Sequence, residues 1–275
     1  MDDKPFDLIL KDIKEDIPVY LLDLLPRKWE KIGDVVIIKI PKELQYYYSL
    51  IGRIYCNILN CRTILNDIGG IQGEYRKPKV ELIYGDKNSI TVHKENGVFF
   101  KIDPARIMFS SGNMSERKRM ANISNPNETV VDMFAGIGYF SVPMAVYSHS
   151  KKIISCEINP VSYSYLVENV KLNHVADIIE PVLGNNLMKL QNNIADRVIM
   201  GYIGDTSRYI EKALNVLKDK TGLIHFHDKY PDGKIPDVVI GEFKKFEIDF
   251  DILHIEKVKS YAPGVSHYVF DIRVG

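Results

Sequence analysis

From about Glu128 onwards, the sequence alternates short apolar segments with segments of helical periodicity. The apolar segments read TVVDMF, KIISCE, IIEPVLG, ADRVIMG and GLIHFH. Because parallel strands need long crossover connections, usually helices, this alternation predicts a mainly parallel sheet with helices on both faces. Two further strands, HIEKVKSY and SHYVFDIRV, are separated only by residues 262–265. So short a link allows only a hairpin, which places one antiparallel strand in the sheet.

The preceding part of the chain follows a different pattern. Apolar residues at helical spacing predict short helices up to about Trp29. Strand-like segments follow at 34–40, 79–84 and 89–93. Glycine-containing steps between them, including Gly69-Gly70, predict turns. We therefore predict two domains, a small α+β domain at residues 1–104 and a Rossmann-like α/β domain at residues 105–275.

The balance of positive and negative residues limits the kinds of nucleic-acid binding that the chain can have. The 36 Lys and Arg residues are offset by 36 Asp and Glu residues, so the chain lacks the strong positive field of a protein that coats nucleic acid non-specifically. A local basic patch is still compatible with this balance. The segment Tyr75–Lys79, with three cations and an aromatic ring, is either an exposed loop that contacts single-stranded RNA or one that is only solvated.

Three features bear on the cellular location. The apolar segments are all shorter than the roughly 20 residues that span a membrane, and the N-terminus mixes acids with lysines, unlike a signal peptide. The three cysteines are an odd number without metal-ligand spacing, which favours reduced thiols. We expect a cytoplasmic protein with no membrane segment, no metal site and no evident protein partner.

The most informative local motif is the strand–turn–helix segment Val130–Phe140. The strand ends in Asp132, and the turn that follows contains Phe134, Gly136 and Gly138. Glycine allows the backbone to approach a ligand closely and to adopt a positive φ, and a helix N-terminus comes directly afterwards. Because the third glycine of the dinucleotide fingerprint is absent, the motif disfavours a pyrophosphate site.

Polar residues at the ends of the next two strands indicate what the turn binds. Glu157 ends the second strand, 25 residues after Asp132, where a carboxylate can accept hydrogen bonds from both hydroxyls of a ribose. The third strand ends in Gly184, Asn185 and Asn186, whose amides could recognise the edge of an adenine. Ligands of open α/β sheets bind at the carboxyl ends of the strands. Together these residues predict an adenosine site without phosphates.

The turn and the two polar strand ends resemble the class I S-adenosyl-L-methionine-dependent transferases, and the terminal hairpin resembles their reversed last strand. Three more stretches, at 92–97, 102–104 and 108–117, resemble the tRNA guanine-N1 methyltransferases that modify position 37 beside the anticodon, together with their relatives in wybutosine synthesis. The resemblance runs from about Trp29 to the C-terminus. It implies S-adenosyl-L-methionine as cofactor and the anticodon region of tRNA-Phe as partner.

The resemblance also assigns residues to the cofactor. Ser110 and Arg117 match family positions that touch it, and Glu157 matches the acid that binds the ribose. Asn185 and Asn186 match the pair on the adenine side, although the family often has Asp at position 185. With the turn residues, the candidate cofactor site is Ser110, Arg117, Asp132, Phe134, Gly136, Glu157, Asn185 and Asn186.

The end of the fourth strand separates the branches of this family. The guanine-N1 methyltransferases carry an Asn-Leu-Pro-like motif there, whereas this chain reads Gly201-Tyr202-Ile203. Gly-Tyr-Ile resembles the wybutosine branch instead. That resemblance implies transfer of the 3-amino-3-carboxypropyl group of S-adenosyl-L-methionine to C7 of 4-demethylwyosine in tRNA-Phe, with release of 5′-methylthioadenosine. Tyr202 is then the candidate catalytic-site residue for packing or orienting the base, and a half-buried strand-end tyrosine is the plainer interpretation.

Two other functions remain open on the sequence. One is methylation of guanine at position 37, and the other is non-catalytic RNA binding by a chain that keeps the fold. Lys118 and Arg119 either face solvent or contact phosphate. His225 and His227 fall on one face of a strand, and we expect them to be hydrogen-bonded near the mouth of the cleft and not to bind metal.

Overall fold

The computed structural model describes residues 4–275, which form two compact units. Within the described residues, the first unit comprises 4–95 and 99–111, and the second comprises 96–98 and 112–275. No helix within residues 4–275 is both long and apolar enough to cross a membrane.

The first unit is built around a four-stranded mixed sheet. Its helices are α1 (Pro5–Ile13), α2 (Val19–Leu22) and α3 (Tyr48–Ile58). Its strands are β1 (Trp29–Ile32), β2 (Val35–Ile38), β3 (Thr63–Gln72), β4 (Lys77–Gly85), β5 (Thr91–Glu95) and β6 (Val98–Ile102). The sheet has the order β1-β2-β3-β4, in which only the β2–β3 pair is parallel, and β5 and β6 form a separate two-stranded sheet.

Helical spacing of apolar residues explains how the helices cover this sheet. Helix α1 begins with Pro5, which is favourable at the first helical position, and buries Ile9 and Ile13 on one face. These two side chains belong to one hydrophobic core with Ile51 and Tyr55 of α3. The predicted small α+β architecture is therefore present in this unit.

One predicted turn and the extent of one predicted loop in this unit differ from the structure. Gly69-Gly70 lies inside strand β3, where the pairing register with β4 shifts between Asp67 and Ile71. The Asp67 carboxylate accepts hydrogen bonds from the N–H groups of both glycines, and Gly70 has a φ of +64°. The glycines therefore form a bulge, which a glycine pair suits as well as it suits a turn. The predicted loop at residues 75–79 is likewise only a short turn, because β4 already begins at Lys77.

The second unit is built around a seven-stranded sheet. Its helices are α4 (Met114–Met120), α5 (Ser141–Tyr147), α6 (Pro160–Leu172), α7 (Asn186–Lys189), α8 (Ile210–Val216) and α9 (Asp237–Phe243). Its strands are β7 (Thr129–Asp132), β8 (Lys152–Glu157), β9 (Ile179–Leu183), β10 (Arg197–Met200), β11 (Gly222–Pro231), β12 (Phe250–Ala262) and β13 (Val265–Val274). The strand order is β12-β13-β11-β10-β7-β8-β9.

The pairing in this sheet confirms the predicted α/β topology. Strands β9, β8, β7, β10 and β11 are parallel, and β13 runs antiparallel to both β11 and β12. The short link at Pro263-Gly264 forms the expected hairpin between β12 and β13. Pro181 lies within β9, which is tolerated because β9 is an edge strand and leaves one side of its backbone unpaired.

A network of buried and partly buried charged side chains crosses the second unit. Arg119 of α4 donates to Glu116 on its own helix at 2.8 Å and to Asp271 of β13 at 2.6 Å. Asp271 also accepts from Nδ1 of His225, at 2.6 Å. The pKa of Asp271 is lowered although burial opposes it, because His225 and Arg119 both donate to the carboxylate. Arg119 therefore stabilises the helix on the sheet through these two carboxylates.

The chain of charges continues through His225. Its Nε2 lies 2.6 Å from Arg197, whose guanidinium also donates to Glu128 at 2.8 Å. Since an arginine can only donate, Nε2 of His225 is the acceptor and Nδ1 carries the proton that is donated to Asp271. Burial lowers the pKa of His225, which keeps this ring neutral. This network links α4, β10, β11 and β13.

Substitution of Arg119 by Met would leave the buried Glu116 and the partly buried Asp271 without their shared cation. We expect the free energy of unfolding to fall by roughly 3–5 kcal/mol, as for a buried ion pair that loses one partner. Urea unfolding would measure the loss. Arg273→Met is the matched control, because Arg273 pairs with Asp251 at the surface, where the two side chains are 55% and 64% exposed. That pair should contribute about 1 kcal/mol or less, and equal losses for the two variants would contradict the prediction.

Candidate functional site

The carboxylate of Asp132 fixes the turn that follows strand β7. Its Oδ1 accepts from the N–H of Phe134 at 3.2 Å, and its Oδ2 accepts from the hydroxyl of Ser141 at 2.8 Å. Ser141 begins helix α5, so one side chain holds both ends of the turn. Asp132 is fully buried, and this burial raises its pKa to about 7. Asp132 therefore stabilises the turn through these two hydrogen bonds.

Glycine is required at two points of this turn. Gly136 has a φ of +59° and Gly138 a φ of +96°, conformations that side chains with a Cβ rarely adopt. A Cβ on Gly136 would lie 2.5 Å from the ring of Tyr139, and one on Gly138 would lie 2.5 Å from Val142. At the carboxyl end of β7 the backbone therefore carries no side chain at these two positions, so a ligand can approach it closely.

Glu157, at the end of the neighbouring strand β8, is tied to the same turn. Its Oε2 accepts from the N–H of Gly136 and its Oε1 from the N–H of Asn159, both at 2.7 Å. Burial raises the pKa of this carboxyl although both N–H groups favour the charged form. An ionised carboxylate has about four acceptor positions, so two remain for a ligand. This arrangement fits a pair of neighbouring hydroxyls such as those of a ribose.

The two asparagines after β9 have different environments. Asn185 is exposed and caps helix α7, because its Oδ1 accepts from the N–H of Leu187 at 2.9 Å. Asn186 is buried and donates from Nδ2 to the carbonyl oxygen of Met133 at 3.0 Å. Its Oδ1 is buried and accepts no hydrogen bond from any residue between 4 and 275. A buried acceptor without a partner is costly, so this oxygen is suited to an amino group of a ligand.

Tyr202 follows the end of β10 and belongs to a group of three rings. Its ring stacks on Phe134, with centroids 5.0 Å apart and planes inclined by 19°. Tyr209 contacts both rings edge to face, at centroid distances of 4.9 Å from Phe134 and 6.3 Å from Tyr202. All three side chains are partly buried. We call Phe134, Tyr202 and Tyr209 the aromatic cluster.

The structure brings most of the predicted site residues together at the carboxyl ends of β7, β8, β9 and β10. Direct hydrogen bonds or ring contacts join Gly136 to Glu157 and Phe134 to Tyr202. Arg117 is buried on helix α4 of the same unit. Ser110 is partly buried in the segment that ends the first unit, and Lys118 is exposed.

The sequence did not indicate Tyr209 as a part of this group. Tyr209 lies seven residues after Tyr202, at the end of a short 3-10 turn at Thr206–Tyr209, and no local pattern relates its ring to Phe134. An aromatic residue in the first helical turn after a glycine-containing strand end is the only signal that the sequence offers.

The two histidines of β11 are hydrogen-bonded, as expected, but to different partners. His225 bonds to Asp271 and Arg197, and His227 contacts His267, with Nδ1 and Nε2 3.2 Å apart. Burial lowers the pKa of His227 well below its ordinary value, so the ring stays neutral. In the described part of the chain, no group of three or more His, Cys, Asp or Glu side chains is arranged to hold a metal ion.

The reversed strand β13, the glycine turn after β7 and the acid that ends β8 define a class of protein. The fold is that of the class I S-adenosyl-L-methionine-dependent transferases, joined to a smaller N-terminal domain. Residues 91–253 match the model of the TRM5/TYW2 methyltransferase domain, and residues 9–88 match that of the TYW2 N-terminal domain. The chain belongs to the TRM5/TYW2 family.

One relative and two crystal structures illustrate this similarity. The chain is 43% identical over 266 residues to the tRNA(Phe) (4-demethylwyosine(37)-C(7)) aminocarboxypropyltransferase of Pyrococcus horikoshii, covering 95% of this chain and 94% of that protein. A crystal structure of P. horikoshii TYW2 in complex with MeSAdo matches with a TM-score of 0.86 and 40% identity, covering 98% of both chains. That of M. jannaschii TYW2 in complex with AdoMet matches with a TM-score of 0.73 and 38% identity, covering 90% of this chain and 99% of the other.

The substitution Asp132→Asn tests whether the side chain of Asp132 takes up a proton when the protein folds. Because the pKa of Asp132 rises from 3.8 to about 7 on folding, the native protein retains a proton that the unfolded chain loses. The wild type should therefore lose stability as the pH rises from about 4 to about 7, and the loss should level off above that range. Asn does not titrate and keeps an oxygen for the N–H of Phe134.

The free energy of unfolding of Asp132→Asn, relative to wild type, should therefore increase through this pH range, by roughly 4 kcal/mol at most. Thermal or urea unfolding at several pH values between about 4 and about 8 would measure the difference. A difference that does not change with pH would show that Asp132 has the same charge in the folded and unfolded chains.

Proposed function

We propose that this protein transfers the 3-amino-3-carboxypropyl group of S-adenosyl-L-methionine to C7 of 4-demethylwyosine at position 37 of tRNA-Phe, with release of 5′-methylthioadenosine. The observation that carries this proposal is the 43% identity, over 95% of the chain, to an enzyme with that name. The geometry of the second unit supports it. Glu157 and Asn186 offer acceptor oxygens at neighbouring strand ends, and Phe134, which follows the adjacent strand β7, belongs to the aromatic cluster.

The residues around the turn fit the nucleoside part of S-adenosyl-L-methionine. Glu157 would accept from the two ribose hydroxyls, and the unpartnered Oδ1 of Asn186 would accept from the adenine amino group. Gly136 and its neighbours leave the backbone bare for close approach. Asp132 would act indirectly, by holding the turn, and Asn185 by capping the short helix α7. We assign Arg117 and Phe134 to the same site, and the family resemblance makes Ser110 a further candidate contact of the cofactor.

When bound, S-adenosyl-L-methionine supplies an electrophilic carbon next to its sulfonium. The nucleophile is then a ring carbon of an electron-rich base, and the protein must chiefly align it and exclude water. The stacked rings of Tyr202 and Phe134 provide a flat apolar surface for this purpose, and the phenol adds a polar tip. Gly201 is small by necessity, since a Cβ there would lie 2.7 Å from the ring of Phe140.

The anticodon region of tRNA-Phe is the partner that this reaction requires, and a tRNA-modifying role favours a cytoplasmic location. In the first unit, the turn between β3 and β4 offers a site for RNA contact. Tyr75 in this turn is 52% exposed, and Lys77 and Lys79 are exposed beside it. An aromatic ring next to cations is suited to stacking on a base and pairing with phosphate.

Glu157→Ala tests the nucleoside site. The variant removes a carboxylate whose two hydrogen bonds to ribose hydroxyls contribute roughly 1.5–3 kcal/mol each, so the affinity for S-adenosyl-L-methionine should fall by about a hundredfold or more. Isothermal titration calorimetry would measure it. Glu180→Ala is the matched control, because Glu180 is an exposed acid of β9 that pairs only with Lys152. Unchanged affinity in Glu157→Ala, in a protein that melts as a folded chain, would exclude Glu157 from the site.

The identity of the transferred group can be tested with two labels. The protein is incubated with tRNA that carries 4-demethylwyosine and with cofactor labelled either in the methyl or in the aminocarboxypropyl group. We expect only the aminocarboxypropyl label in the RNA. Methyl label in the RNA would instead indicate a methyltransferase, and absence of both labels would indicate a non-catalytic RNA-binding protein. The same tRNA with guanosine at position 37 is the control for the methyl reaction.

A further inference from the structure

The loop between β10 and α8, residues 201–209, carries two of the three rings of the aromatic cluster. Tyr202 lies at its start and Tyr209 at its end. Between them, Gly204 has a φ of +137° and Asp205 a φ of +64°. The left-handed conformation at Asp205 is unfavourable for a residue with a Cβ, so contacts elsewhere must hold the loop in this shape.

Those contacts come from Asp228 on the neighbouring strand β11. Its Oδ1 accepts from the N–H of Gly204 at 3.1 Å, and its Oδ2 accepts from the N–H of Thr206 at 2.7 Å. The side chain is 4% exposed, so water does not compete for these bonds. The two N–H groups flank Asp205, and the carboxylate therefore fixes the strained residue from both sides.

The loop is connected in turn to the ring of Tyr202. The hydroxyl of Thr206 donates to the carbonyl oxygen of Tyr202 at 2.8 Å. Gly204 lies beside the phenol, since a Cβ there would be 3.5 Å from Oη of Tyr202. Two short paths thus lead from Asp228 to Tyr202, one through Gly204 and one through Thr206. On its other side the ring stacks on Phe134.

We propose that Asp228 is a positioning residue, which holds the loop at 201–209 so that Tyr202 presents the target base in the orientation needed for alkyl transfer. This inference rests on the proposed function, because it assumes that the aromatic cluster receives the base. Asp228 does not touch the reacting atoms. It determines the angle of Tyr202, and a small misplacement of a reactant can lower a rate by roughly a hundredfold.

Steady-state kinetics with tRNA carrying 4-demethylwyosine would test this role. In Asp228→Ala we expect kcat to fall roughly 10- to 100-fold, while the dissociation constant of S-adenosyl-L-methionine rises much less. The loop meets the proposed cofactor site through the ring contacts of Tyr202 and Tyr209 with Phe134, whereas Glu157 and Asn186 make their hydrogen bonds outside residues 201–209. Thr206→Val removes only one of the two paths and should lose less activity than Asp228→Ala. Asp228→Asn keeps one acceptor oxygen and should lie between wild type and Asp228→Ala.

The control for general loss of stability is Asp196→Ala. Asp196 also accepts from a backbone N–H, that of Thr129 at 2.8 Å, but it precedes β10, at the opposite end of the strand from the loop. Its removal should destabilise the unit without changing kcat per folded molecule. Loss of kcat in Asp196→Ala equal to that in Asp228→Ala would overturn the proposal.

A double-mutant cycle separates positioning through Tyr202 from a merely structural role. If Asp228 acts through Tyr202, Asp228→Ala should lower kcat little further in a Tyr202→Ala background, whereas independent effects would multiply. Multiplying effects would refute this inference alone, provided that the wild type places the aminocarboxypropyl label in the RNA. Absence of that label from the wild-type reaction would instead refute the proposed function.

Discussion

Backbone N–H groups at the carboxyl edge of the parallel sheet need acceptors, because the loops that leave the strands there do not continue the ladder of hydrogen bonds. In the second unit, carboxylates meet this need. Asp132 accepts from Phe134, Glu157 from Gly136, and Asp228 from Gly204 and Thr206. Each acid ends or lies near the end of a strand and fixes a loop at the same edge. The shape of the candidate site depends on these bonds.

Three acids of this unit, Asp271, Asp132 and Glu157, differ in the groups that donate hydrogen bonds to them. Asp271 receives hydrogen bonds from Arg119 and His225, which lower its pKa although burial opposes this. Asp132 and Glu157 receive them only from backbone N–H groups and a hydroxyl, and burial raises the pKa of both. The role of Asp271 is therefore structural, because its oxygens are bonded to Arg119 and His225. Where neutral donors leave acceptor positions open, a ligand can complete the coordination, as we infer for Glu157.

The parts of the fold that could be predicted from the sequence are those that depend on local pattern. Alternating strands and helices predicted the parallel sheet, and the short link at Pro263-Gly264 predicted the reversed strand β13. Gly69-Gly70 was predicted as a turn and forms a bulge, because a glycine pair permits both and only the pairing of β3 with β4 decides between them. Local pattern also located Glu157 and Tyr202 at strand ends.

Contacts between distant segments could not be predicted in this way. Arg119 and Asp271 are separated by 152 positions, and nothing in either segment identifies the other as its partner. The same holds for Asp228, which follows two histidines in the sequence but bonds to a loop more than twenty residues earlier. The bonds of Asp228 form only because β11 lies beside β10 in the sheet, and the Arg119–Asp271 pair forms only where α4 meets β13. The network of charged side chains and the hydrogen bonds from Asp228 to the loop that carries Tyr202 could therefore be found only in the three-dimensional structure.

The surroundings of Tyr202 also bear on the choice between a nitrogen and a carbon nucleophile. Attack by N1 of guanine requires removal of its proton, and a site for it needs a base aimed at the substrate. A ring carbon loses its proton only after the new bond has formed, so placement matters more than proton transfer. The nearby carboxylate of Asp228 is bonded to loop N–H groups and is 4% exposed, which suits it to placement and not to proton removal. The loop after β10 is thus built for orientation, which favours carbon alkylation.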